Sequence, residues 1–267
     1  MSEYSLPDFS QLTEVARKTR EMMQPIFEAF QHVQDILRPI VEVVEAHKAQ
    51  ITSIISGVVD FARPMIAINV MGDAQFVFWD VMSPELVDAL IETNNPNKTL
   101  REYVIRDNFA YVNNTISKCE ADSLMKPYLR LFSQAVTAFR NGDSDLAVNG
   151  FTSVLDGLLA TVSGSTTHRL QPRIKTIEAK LEKDELLDTD EYAMLTFALT
   201  FHSAMESFSK PAPFDRKEPK GLNRHWIAHG RSCRKKTKLD CVKLINLIYG
   251  LLLINEVETR KASEPQE

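Results

Sequence analysis

The sequence predicts an all-α protein, with an N-terminal heptad-patterned helical region, a connector holding a short β-hairpin and two helices, and a C-terminal helical bundle. Three observations carry this. Apolar residues recur in steps of three and four through the first sixty positions, and short turn signals such as Asn141-Gly142-Asp143 separate amphipathic segments further on. A long apolar run, Leu244 to Ile254, then lies within the last helix. On this pattern the chain divides into 1–62, 63–125, 126–261 and a tail, 262–267.

The first region carries a seam through Phe9, Leu12, Ala16, Met23, Ile26, Phe30, Val33, Leu37, Ile40 and Val44 and on to Val58 and Phe61. Pro25 and Pro39 interrupt it. A proline inside a helix costs about 3 kcal/mol, so two or three helices, or one kinked helix, are expected. Such a seam can pair with its copy as a coiled coil, fold back on itself, or lie on a membrane. The opposite face mixes Glu28, Asp35, Arg38, Glu42 and Lys48, which favours the first two. His47, within the seam, reads as a solvated or core-edge imidazole.

Between Arg63 and Asp80 the pattern changes to β-branched and aromatic residues around Gly72-Asp73, which suggests a hairpin or extended connector. Ser83-Pro84-Glu85 is a helix start with Ser as N-cap and Pro at N1. Asn94 to Asn97 reads as a loop, and Thr99 with Glu102 as a capping box opening the next helix. A helix over Pro127–Arg140 turns at Asn141-Gly142-Asp143 into another from about Ser144, ended by the loop Ser163–Thr167. Arg173–Leu187 is a charged helix, and Asp188-Thr189-Asp190-Glu191 caps the next one. Lys210–Gly221, with three prolines, is a loop, and the final helix runs from about Leu239 to Arg260. Helices joined by short turns describe a bundle.

Composition bounds the function. The chain has 267 residues, 44% hydrophobic and 25% charged, with a net charge of −5. Its acidic balance argues against wholesale adhesion to nucleic acid, so an anionic ligand must meet a local basic patch. One exists: between Asp215 and Lys238 nine Lys/Arg face two acids, Asp215 and Glu218. Cys119, Cys233 and Cys241 form neither an even set nor a CxxC pair, and no signal-peptide pattern opens the sequence. A cytoplasmic setting is expected. Leu244–Ile254 is shorter than the about 20 residues a membrane span needs, so no membrane partner is expected.

The chemically pointed segment is Asn223-Arg224-His225-Trp226-Ile227-Ala228-His229-Gly230, followed by Arg231, Arg234, Lys235, Lys236 and Lys238. It combines a permanent guanidinium, two imidazoles that titrate near neutrality and a cluster of cations. One reading is metal: His225, His229 and Cys233 stand at i, i+4 and i+8. The zincin pattern needs Glu after its first His, where Trp226 stands here, and Gly230 and Ser232 weaken a helix running on to Cys233. No metal or other cofactor is therefore expected. Another reading takes Arg224 and the histidines as helix-start residues and the basic run as a solvated face.

Arg224-His225 followed by three residues and His229 resembles the R-polar-xxx-H motif of the HEPN superfamily, where the motif lies just ahead of or in the last core helix and is often followed by Gly. Upstream, Ala138-Phe139-Arg140-Asn141-Gly142-Asp143-Ser144-Asp145-Leu146-Ala147 through Leu155-Asp156-Gly157-Leu158-Leu159 is similar to the family's first helix, Gly-Asp turn and second helix. The resemblance covers roughly Pro127 to Arg260. Gly157 departs from it, since an acidic residue is common near that turn, and Asp156 can stand in.

The resemblance implies a metal-independent RNA endonuclease with motifs from two subunits lining one cleft of a homodimer. It further implies a toxin or antiviral effector of the abortive-infection kind, restrained by an antitoxin or regulatory partner. The residues suit that chemistry, because RNA carries its own nucleophile in the 2′-hydroxyl and asks only for a base, an acid and charge stabilisation. His229 is then the general base or acid, His225 shares or orients proton transfer, and Arg224 stabilises the phosphorane. Arg231, Arg234, Lys235 and Lys236 would hold flanking phosphates. Arg224 and His229 lie about 140° apart on an ideal helix, so a dimeric cleft or a motif straddling a loop and a helix start is expected. The alternative function is a non-catalytic module that binds RNA, a nucleotide or a protein.

Overall fold

The computed structural model of the chain describes residues 63–80, 82–165, 172–177 and 191–263. The expected heptad seam, the Asp188–Asp190 part of the cap, most of the charged helix after Arg173 and the last four tail residues lie outside these. Contacts divide the chain at Ala62/Arg63, and the second unit, Arg63–Glu267, holds every described residue.

Among the described residues the fold is all-α, with no strand. Helix α1 (Pro84–Glu92) starts as the sequence predicts: the Ser83 side chain accepts from the Leu86 amide, with Pro at N1. Helix α2 (Pro96–Ala121) starts earlier than expected. Asn95, not Thr99, is its N-cap, accepting from the Lys98 amide at 3.1 Å. The Asn95-Pro96 pair supplies both the capping oxygen and the pre-set φ of N1, so it outcompetes the box three residues later. The helical path of α2 breaks at Arg106–Phe109, where Asp107, Asn108 and Phe109 take positive φ.

A 3₁₀ turn (Ser123–Met125) leads to α3 (Leu129–Asn141), then α4 (Ser144–Ser163), α5 (Glu191–Ser209), α6 (Arg224–Ala228) and α7 (Lys238–Ser263). Gly142, at φ 88°, ends α3 in the left-handed conformation and lets Asp143 donate its amide back to Ala138 at 2.9 Å. Helix α4 is the centre of the unit, packed on α3, α7 and α6. Ala147, Val148, Phe151, Val154, Leu155, Leu158 and Leu159 are fully buried. It is long and apolar enough to cross a membrane, yet these residues are covered by protein, as in a core helix.

The hairpin expected between Arg63 and Asp80 is not formed. Residues 63–73 are helical, since Met65, Ala67, Ile68 and Met71 fall on one buried side, 74–75 make a turn, and 76–79 then run without regular secondary structure or a partner strand. Distant side chains satisfy the backbone there. Thr200 of α5 accepts from the Phe78 amide at 3.2 Å, and Asn246 of α7 donates to the Val77 carbonyl at 2.8 Å. Ahead of it Gln75, at φ 59°, turns its carboxamide onto Leu222: Nε2 donates to the Leu222 carbonyl at 2.8 Å and Oε1 accepts the Leu222 amide at 2.7 Å. One side chain thus imitates a strand neighbour and fixes the residue two before Arg224.

Replacing Asn246 with Ala should leave the Val77 carbonyl buried and unpaired, lowering unfolding free energy by about 1–3 kcal/mol in denaturant titration. A loss below about 0.5 kcal/mol, the size of an ordinary surface change, would contradict this role.

Candidate functional site

Helix α6 is one short turn and a half, and its position is set by what Asn223 and Trp226 hold. The Asn223 side chain accepts from the Trp226 amide at 3.2 Å, capping the helix, and donates to the Lys210 carbonyl at 2.8 Å. Trp226 is buried and its indole donates to the Ala212 carbonyl at 3.1 Å. Both bonds tie the proline-rich loop to the motif. The helix stops at His229, because Gly230 takes φ 63° and lets the Arg231 amide return to the Trp226 carbonyl at 2.9 Å.

This short helix parts the motif's residues. Arg224 turns inward to α4 and grips the Asp156 carboxylate with its Nε and Nη2 edge. Nη2 reaches Oδ2 at 2.7 Å, and Nε reaches Oδ2 and Oδ1 at 2.9 and 3.3 Å. Gly157 explains why the acid stands at 156: a Cβ at 157 would lie 2.4 Å from the Tyr128 ring. His225 and His229, one turn apart, pair on the other side with ring centroids 4.7 Å apart. His229 is exposed and His225 half-buried.

Phe214, from the proline-rich loop, stacks flat on His225 at 4.4 Å and 4°, and meets His229 edge-on at 5.6 Å. The Arg231 guanidinium lies over the same phenyl ring at 4.9 Å. Burial first, then the charges of His229 and Arg224, hold His225 below the ordinary imidazole pKa. At neutral pH the His225 ring is therefore kept neutral beside a more exposed partner.

The basic run divides into two groups. Arg234 is locked on Asp240, Nη1 to Oδ2 at 3.0 Å and Nη2 to Oδ1 at 3.2 Å. Lys236 is buried, donating to the Ser232 hydroxyl and to the Arg234 carbonyl at 3.0 Å, and pairs with Glu218 at 3.5 Å. Glu218 in turn accepts from the Ser232 hydroxyl and from the Cys233 and Arg234 amides, each amide at 3.0 Å. These contacts close the loop between α6 and α7 rather than face outward. Arg231 and Lys235 are exposed. Thr237 and Asp240 form a reciprocal capping box, with Asp240 accepting at 2.8 Å and Thr237 at 3.2 Å, which starts α7 at Lys238.

The structure brings together His225 and His229, and sets Arg224 on the adjacent side with Asp156. It does not bring Cys233 to the imidazoles. Among the described residues no three His, Cys, Asp or Glu side chains converge as a metal cage. Sequence reasoning misses Phe214, whose loop carries no periodic signal, and Arg173, whose Nη1 donates to the Asp156 carbonyl at 3.5 Å. It also misses the Thr237-Asp240 box, which is readable as spacing. No family model, curated protein or solved structure matches this chain.

His225 should titrate below 6.5 by NMR, and its midpoint should rise in His229→Ala as burial and a like charge are removed. Because the folded form binds protons more weakly than the unfolded one, the stability linked to His225 is present above 6.5 and lost as pH falls through the folded midpoint. An unchanged midpoint in His229→Ala would show that the two rings are not coupled.

Proposed function

We propose that this chain is an endoribonuclease that cuts RNA by attack of the substrate's own 2′-hydroxyl on the adjacent phosphorus. The observation that carries the reading is the imidazole pair, His225 and His229, at 4.7 Å beside Arg224. In-line transesterification needs a base at the 2′-oxygen and an acid at the leaving 5′-oxygen, and two adjacent imidazoles of unequal environment supply both.

His225, held neutral, accepts the 2′-hydroxyl proton as the 2′-oxygen bonds to phosphorus. His229, in its protonated form, donates to the 5′-oxygen as the P–O5′ bond breaks, leaving a 2′,3′-cyclic phosphate and a 5′-hydroxyl. Arg224 is oriented by Asp156 through Nε and Nη2, and its Nη1 has no hydrogen-bond partner among the described residues. That free edge suits charge building on the phosphorane oxygens. Arg231 and Lys235 would meet flanking phosphates, while Arg234 and Lys236 keep the loop in shape.

The resemblance to the HEPN superfamily supports the same chemistry and adds its context: a homodimer with one shared cleft, acting as a toxin or antiviral effector restrained by an antitoxin. A homodimer also answers the geometry, because Arg224 and His229 of one chain face different sides of a five-residue helix. A second reading is favoured by the Arg224–Asp156 pair, whose internal contacts serve equally well in a binding module that cuts nothing.

The purified chain should cut RNA in EDTA and leave cyclic phosphate ends, while a strand with 2′-deoxyribose at the cut site survives. His229→Ala should slow cutting about 10²–10⁴-fold and Arg224→Ala about 10²–10³-fold. Full activity in a folded His229→Ala variant would sink the proposal.

A further inference from the structure

We infer that the pocket formed by the proline-rich loop is a nucleotide subsite, which takes the unpaired base and phosphate beside the cut in single-stranded RNA. This inference rests on the RNA reading above and names the form of RNA it requires. The pocket has a volume of about 270 Å³. Pro211, Pro213 and Pro219 form apolar walls and Lys210, Arg216 and Lys217 stand around it, with no carboxylate in the lining. In a chain of net charge −5, three cations around one cavity without an acid among them select an anionic ligand.

The walls argue for a base. Proline rings are compact, apolar and lack an N–H, so they offer apolar faces for a base rather than a polar cage for a bare phosphate. A cavity of this size admits a base, and a paired base would first have to leave its duplex at a cost of a few kcal/mol. Lys210, Arg216 and Lys217 are exposed, so their charges stay hydrated until a phosphate arrives.

Position argues for the same substrate strand. Asn223 lines the pocket and also caps the helix that begins at Arg224. Phe214 follows Pro213 directly and lies flat on His225. A strand whose base enters the pocket therefore leaves it beside Phe214 and the imidazoles. The pocket is prebuilt, since Gln75 clamps Leu222 from both sides, Asn223 holds Lys210, and Trp226 holds Ala212. A fixed cavity orders no loop on binding, which favours affinity.

The test uses the full chain and a fluorescent 2′-O-methyl oligonucleotide, which resists 2′-hydroxyl attack, so binding is read apart from cutting. The single strand should bind at least tenfold more tightly than its duplex. An Arg216→Glu, Lys217→Glu double variant should bind about tenfold more weakly, and its salt slope should fall by about 1.4, as two phosphate contacts are lost. Ala212→Phe, which fills the pocket and keeps its cations, should also weaken binding, with unchanged thermal melting in both variants. Binding that needs the pocket in a chain that cuts no RNA would support the subsite and contradict the nuclease step. Wild-type affinity in both variants, equal affinity for duplex, or no binding of any oligonucleotide would overturn the inference.

Discussion

The site hangs on one ion pair, Arg224 with Asp156. It joins the shortest described α-helix to the helix at the centre of the core, because α4 carries Asp156 between the buried Leu155 and Leu158. A half-buried guanidinium is offset here by the carboxylate on its Nε and Nη2 edge, and removing either partner would leave a lone charge at the edge of the core. The pair therefore fixes the roll of α6, whose place Asn223 and Trp226 also hold. Once Arg224 points to α4, the 100° step per residue puts His225 and His229 together on another side. Gly157 belongs to the same constraint, since the Tyr128 ring occupies the space its side chain would need and leaves position 156 to carry the acid.

A second set of bonds fixes what surrounds that helix. Gln75 on Leu222, Asn223 on Lys210 and Trp226 on Ala212 fasten the proline-rich loop by side chain to backbone contacts. Prolines suit this arrangement, because a loop with few amides of its own leaves few buried donors to satisfy. On the far side Glu218, Ser232, Lys236, Arg234 and Asp240 close the segment before α7. A basic run that looks uniform by charge count thus has an inner group that builds the loop and an outer group, Arg231 and Lys235, that faces solvent.

Local chemistry makes part of this legible in the sequence. Ser83-Pro84, Gly142 and Gly230 act through their own backbone, so their caps and turns can be read directly, as can the motif's place before the last helix. Partners far apart in the chain cannot. The stretch around Phe76–Trp79 has strand-like residues, but whether it pairs as a hairpin depends on Thr200 and Asn246, which lie more than 120 residues away and replace the missing strand. Phe214 is hidden for the same reason, since stacking on His225 leaves no periodic trace. Arg234 and Lys236 look like free cations in a charge tally, which cannot see their pairing with Asp240 and Glu218. Asn95 loses to Thr99 on sequence alone because a four-residue box is a longer signal than Asn-Pro, although the shorter one carries both the cap and the fixed φ.

The most direct test of the account is a double-mutant cycle between Asp156→Ala and Arg224→Ala, read by RNA cleavage rate. If Asp156 acts through the guanidinium it orients, the double variant should cut no more slowly than Arg224→Ala alone. A further multiplicative loss in the double variant, or a folded wild-type chain with no activity on any RNA, would contradict it.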